Sequence, residues 1–127
     1  MQEQVDKILK QWRQERSATQ MTLIQLIEAI KKFNPERRIK SLGNPHSYRG
    51  YYSDLSFEFQ KGTQSCGDFL LMLKQNCLGA TFTGYKGGDF YMDEDTPLWI
   101  AKYGYTGQAI IDLEYGDSIS FKCKEEQ

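Results

Sequence analysis

At 127 residues the chain has material for one folded domain and too little for two comfortable ones. Sixteen basic against seventeen acidic side chains leave a formal net charge of -1, which excludes the cationic footprint of a protein that wraps duplex nucleic acid. Cys66, Cys77 and Cys123 form neither a disulfide framework nor a zinc spacing, and no apolar run approaches the ~20 residues of a membrane span. A soluble, intracellular protein with reduced thiols is expected, without a membrane partner.

Val5, Ile8, Leu9 and Trp12 fall at the spacing i, i+3, i+4, i+7, so residues 4–16 read as an amphipathic helix with one apolar stripe, followed by a hinge over 17–20. The stripe either covers the core or meets a second copy of the chain. A second helix starts at Thr22, whose hydroxyl can cap the first turn while Gln25 reaches back. Leu23, Leu26, Ile27, Ile30 and Phe33 make its buried face, and Asn34-Pro35 stops it because the residue before proline is pushed out of the helical region.

The period then changes. Residues 53–60 alternate strictly, with Leu55, Phe57 and Phe59 on one side and Asp54, Ser56, Glu58 and Gln60 on the other, the pattern of a half-buried strand. Residues 39–42 are a weaker partner strand, which leaves "GNPHSYRGYYSD" as the loop between them. A third helix over 66–77 is capped by Ser65 and buried through Phe69, Leu70 and Leu73. Short strands follow at 80–83 and 90–92, around the turn Gly84 to Gly88, and a well-buried strand at 98–103. In the closing hairpin Ile111, Leu113 and Tyr115 alternate inward, Gly116-Asp117 turns, and Ile119, Phe121 and Cys123 return. Helices first and strands later predict an α+β fold, a mostly antiparallel sheet with two or three helices packed on one face, as a single ligand-binding domain over 1–127.

His46 is the only histidine, so neither a histidine metal site nor a histidine pair can be built within one chain, and no metal or cofactor is expected. The acidic run Asp93 to Asp95 lacks the alternate-position ligands of a calcium loop and reads as a solvated turn leading into Thr96-Pro97. Two glycine-bearing segments remain. In "GNPHSYRGYYSD", Ser47, Tyr48 and Arg49 put hydroxyls and a guanidinium on the rim of a loop that can present donors to a phosphate. In "TFTGYKGGDFYM", Phe82 and Tyr85 flank Lys86, giving faces for a base to stack on and a positive charge nearby. Neither is a P-loop, and each alone reads equally well as cover for a sheet edge. The candidate ligand-binding set is His46, Ser47, Tyr48, Arg49, Phe82, Tyr85, Lys86 and Thr96.

The order of a short helix, "GNPHSYRGYYSDLSFE", a helix, and "TFTGYKGGDFYMDEDTPLWIAKYG" resembles the Thoeris anti-defence proteins of the first type, over residues 22–104. The resemblance implies a non-catalytic phage sponge working in the cytoplasm of its bacterial host. Such proteins bind cyclic ADP-ribose isomers made by immune TIR-domain proteins and hold them intact, so that the Thoeris effector stays inactive. They assemble as homodimers, some as trimers of dimers with further sites for cyclic oligonucleotides. In the family an aromatic and an arginine sandwich the adenine; the matching positions are Phe82 and, for stacking or pyrophosphate contact, Arg49. No arginine follows Arg49, so a family arginine from the C-terminal third has no counterpart here. Two other classes stay open. One is hydrolysis with His46 as acid and Asp54, Asp93 or Asp95 as base; the other is a protein-interaction module using the aromatic loops.

Overall fold

The computed structural model describes residues 2–50, 52–84 and 86–125, and their side chains except at positions 2–6, 9 and 125. Among the described residues three helices and seven strands make an α+β fold: α1 (Gln2–Thr19), α2 (Leu23–Lys31), β1 (Arg38–Ser47), β2 (Leu55–Ser65), α3 (Cys66–Met72), β3 (Thr81–Thr83), β4 (Asp89–Tyr91), β5 (Leu98–Ile100), β6 (Gln108–Glu114) and β7 (Ser120–Glu125). The anticipated capping box forms at α2. The Thr22 hydroxyl accepts from the Gln25 N–H, and the Gln25 side chain accepts from the Thr22 N–H at 3.0 Å. Ser65 caps α3 by accepting from the Asp68 N–H at 3.1 Å, and one wider turn (Leu73–Cys77) extends that helix.

Five strands form one sheet in the order β1-β2-β5-β6-β7, antiparallel throughout except for the parallel β2–β5 pair. The sheet curls until its edges meet: Lys40 N–H donates to the Ile119 carbonyl at 2.7 Å, and Ile119 N–H donates to Arg38 at 2.9 Å. This contact satisfies backbone groups that an open edge would expose. It also stretches the last hairpin, because Ile119 is drawn to β1, and the β6–β7 ladder begins only at Glu114 and Ser120. The connection therefore exceeds the two-residue turn that Gly116-Asp117 suggests. A bulge between Ile110 and Asp112 shifts the register of β6, so that Ile110 and Leu113 are buried while Ile111 is half-exposed and Tyr115 lies on the surface.

One face of the sheet carries the main core, in which Leu26 and Ile30 of α2 and Phe69 of α3 pack with Phe57, Ile110 and Phe121. The opposite face is covered as well, contrary to the one-sided expectation. In β5, Leu98 and Ile100 belong to the main core, whereas Trp99 between them joins a second cluster with Tyr48, Ala101 and Ala109. Asp54 and Ser56, whose alternation with Leu55 and Phe57 predicts solvent exposure, are fully buried on this second face. Ser56 stands opposite Trp99 in register and donates to the Ala101 carbonyl at 3.2 Å. Phe59, expected inside, is exposed instead.

Helix α1 continues through the anticipated hinge to Thr19. Of the two roles open to the stripe, cover for the core does not hold for Ile8 and Trp12, which are 45% and 54% exposed; α1 is tied to the domain through Arg13, Arg16 and Ser17, with Gln20 just beyond its end. Val5 and Leu9 lie outside the described side chains. No helix among the described residues is long and apolar enough to cross a membrane.

Candidate functional site

The segment "GNPHSYRGYYSD" is less of a loop than its composition suggests. β1 runs through it to Ser47, bulging between Gly43 and His46, and Asn44 takes a left-handed φ of 48°. Beyond the bulge His46, Ser47 and Tyr48 are consecutively buried, because both sides of the strand are now covered. The hydroxyls assigned to a rim therefore face inward. Ser47 donates to the Tyr52 carbonyl at 2.8 Å, and the Tyr48 hydroxyl accepts from the Gly107 N–H at 3.1 Å. His46 donates through Nδ1 to the Asn44 carbonyl at 2.6 Å, with Glu58 Oε2 3.8 Å from the same nitrogen; among the described residues its buried Nε2 has no hydrogen-bond partner, and the Tyr103 ring meets the imidazole edge-on.

A short turn (Tyr48–Gly50) follows, in which Arg49 adopts a φ of 58°. Left-handed backbone is costly for a residue with a Cβ and persists only where the surroundings hold it. Here the Tyr48 N–H donates to the Asp54 carbonyl at 2.9 Å, and the Tyr52 N–H donates back to Tyr48 at 3.1 Å. The Tyr48 ring stacks on Trp99 with centroids 3.9 Å apart and planes 5° from parallel. Tyr52 stands perpendicular to Tyr48, with the guanidinium carbons of Arg16 and Arg49 at 5.0 and 5.9 Å from its centroid. Arg49 itself is half-buried.

The second segment folds as the β3–β4 hairpin, with Phe82 opposite Phe90. Both aromatics are half-buried against the main core, while Lys86 is exposed at the tip; Tyr85 lies outside the described residues. The two segments are brought together at their backbones. A Cβ added to Gly84 would stand 2.3 Å from the Gly50 carbonyl oxygen and 2.7 Å from the Phe90 ring, so only glycine permits the approach. The turn bearing Arg49 and the hairpin bearing Phe82 and Lys86 thus meet at one place.

Thr96 belongs to another cluster. Its buried hydroxyl accepts from Arg13 Nη2 at 2.7 Å and from the Asp93 N–H at 2.8 Å, while Arg13 forks onto the Asp93 carboxylate at 2.8 and 3.2 Å. Burial pushes the Asp93 carboxyl up, but hydrogen bonds and charge from Arg13, with the Asp95 N–H and the Thr96 hydroxyl, outweigh it and hold the group below its ordinary value. The acidic run is thus partly a docking point for α1 rather than a purely solvated turn; Glu94 and Asp95 remain exposed.

Arg16 and Asp54 are what sequence reading missed as a pair. The Asp54 carboxylate, fully buried, accepts from Arg16 Nε at 2.6 Å, from Arg16 Nη2 at 2.9 Å and from the Trp99 indole N–H at 2.8 Å. The available signal is weak: Arg13 and Arg16 are three apart on α1 and so neighbours on its surface, but Arg16 also follows Trp12 by four, which places it at the edge of the apolar stripe. Asp54 and Asp93, two of the three carboxylates considered as bases for hydrolysis, are both engaged by arginine forks. Among the described residues no group of three or more metal-ligating side chains occurs. Comparison with protein-family models, curated proteins and solved structures finds no match to this chain.

Proposed function

We propose that the chain is a phage anti-defence sponge that binds a cyclic ADP-ribose isomer and keeps it intact, denying it to the Thoeris effector of the bacterial host in whose cytoplasm it works. The observation that carries the reading is the junction at Gly50 and Gly84, which sets Arg49, Phe82 and Lys86 on adjoining segments. A cyclic dinucleotide-like ligand needs a planar donor fork for its pyrophosphate, an aromatic face for its base and positive charge nearby. In this reading Arg49 and Lys86 meet the phosphates and Phe82 takes the base, whereas Ser47 and Tyr48 shape the turn from within and His46 backs it.

Capture of a scarce messenger calls for nanomolar affinity, about 12 kcal/mol, which an open surface does not supply. We therefore include a homodimer, or a trimer of dimers, that encloses the ligand, with the exposed Ile8 and Trp12 of α1 as part of the contact. The deciding experiment incubates purified protein with TIR-generated cyclic ADP-ribose isomers, removes unbound ligand, denatures the protein by heat and separates what is released. Intact ligand in stoichiometric amount supports the sponge. A converted product would replace it by an enzyme, and no captured ligand would overturn it.

A further inference from the structure

Five side chains on the second face of the sheet close a ring. Arg16 forks onto Asp54; Asp54 accepts from the Trp99 indole; Trp99 stacks flat on Tyr48; Tyr48 meets Tyr52 at right angles; and Tyr52 lies under the Arg16 guanidinium. The ring joins three parts of the chain distant in sequence: α1, the 48–54 segment and β5. We infer that α1 is a clamp on the candidate binding surface: on the ligand-capture reading, Arg16 is a positioning residue that fixes Asp54, and through Asp54 the turn carrying Arg49.

Two features make the clamp specific to that turn. Asp54 holds Arg16 with its carboxylate and, with its backbone carbonyl, accepts the N–H of Tyr48, the first residue of the turn, so a shift of Asp54 carries directly into it. Next to Tyr48 stands Arg49 in left-handed backbone, a conformation that relaxes once its surroundings stop enforcing it. The carboxylate is fully buried and, among the described residues, accepts from the charged Arg16 fork and the neutral Trp99 N–H, so removing the guanidinium leaves a buried carboxylate without that charge. Arg13 provides the internal comparison. It docks the same helix with a fork of its own, at 2.8 and 3.2 Å onto the partly exposed Asp93 and at 2.7 Å onto Thr96, outside the ring.

The test is amide hydrogen exchange followed by NMR on the ligand-free protein, beside affinity for a cyclic ADP-ribose isomer. In Arg16→Ala, protection of the Tyr48 and Tyr52 amides is expected to fall at least tenfold while that of the β6–β7 ladder is kept, and affinity falls at least tenfold. Arg13→Ala leaves both amides and the affinity within twofold of the parent. Unchanged protection in Arg16→Ala, or an equal loss in Arg13→Ala, would overturn the clamp. Should Arg16→Ala fail to fold, Arg16→Lys keeps a cation without the fork: partial loss of protection at the two amides supports the inference, and parent-like protection refutes it. If the parent protein captures no cyclic ADP-ribose isomer, the capture reading falls alone, and exchange at Tyr48 and Tyr52 still decides the clamp.

Discussion

Replacing Gly84 by alanine is expected to pry the two candidate binding segments apart with a single methyl group. The added Cβ would lie 2.3 Å from the Gly50 carbonyl oxygen, whereas a relaxed carbon–oxygen contact needs about 3.3 Å. One backbone must therefore retreat by about 1 Å, and the Phe90 ring at 2.7 Å blocks the other direction. Overpacking of this kind costs about 1–3 kcal/mol, which at this chain length lowers Tm by roughly 4–12 °C. The functional effect exceeds the thermal one in significance. A displacement of about 1 Å between groups that must grip one ligand can cost on the order of a hundredfold. Gly88 supplies the control in the same hairpin, because a Cβ there meets only the Phe90 ring at 3.9 Å. Calorimetric unfolding and ligand titration of both variants check the argument. If Gly84→Ala matches Gly88→Ala in both Tm and affinity, the close approach is not what builds the site.

Ile110→Ala is expected to cost about 2–5 kcal/mol and Ile111→Ala less than half of that, since the β6 bulge buries the first and leaves the second half-exposed; chemical denaturation of the two variants reads the difference, and the reverse order would place the bulge elsewhere. Burial pushes the Cys77 thiol up to about 12 and raises Cys66 and half-buried Cys123 less far, so brief iodoacetamide treatment at pH 8 should leave Cys77 intact until denaturant is added; mass spectrometry that finds Cys77 alkylated at the unfolded-state rate would contradict this. The carboxyl of Asp93 is held below its ordinary 3.8, so its pairing with Arg13 contributes fully above that value and is lost as pH falls through the lower folded-state value. Arg13→Ala should accordingly lower stability by about 1 kcal/mol or less at pH 7, given the partial exposure of the pair, and the gap from the parent should narrow as pH falls below 3.8. A gap that does not narrow as pH falls below 3.8 would assign the loss to something other than this ion pair.

The capping box of α2, the Ser65 cap and the β3–β4 hairpin were legible because each depends on residues within a few positions of one another, whereas α2 ends at Lys31 with Lys32 as its cap, short of Asn34-Pro35, and leaves half-buried Phe33 beyond it. The α+β class followed from the change of hydrophobic period for the same reason. Alternation along β2 gave the correct inward side for Leu55 and Phe57 but misplaced Asp54 and Ser56, for a period of two says which residues share a face and nothing about what covers the other one. The two glycine-bearing segments were recognisable by composition, yet only the Gly50–Gly84 approach puts them side by side, and only the tertiary structure turns Ser47 and Tyr48 inward beneath the turn instead of onto its rim.

Helix α1 marks the boundary most clearly. Its sequence fixes a helix with an apolar stripe, and the natural expectation is that such a stripe is buried within the chain or against a second copy. Within the chain the fold instead docks the arginine side and leaves Ile8 and Trp12 outside, because two bidentate forks onto Asp93 and a fully buried Asp54 hold that side against the sheet. Local sequence determined which segments are helix and strand and where most of them start. The partner of Arg16, thirty-eight residues along the chain, was decided by how the sheet curls and which face remained to be covered, a property no short window of sequence contains.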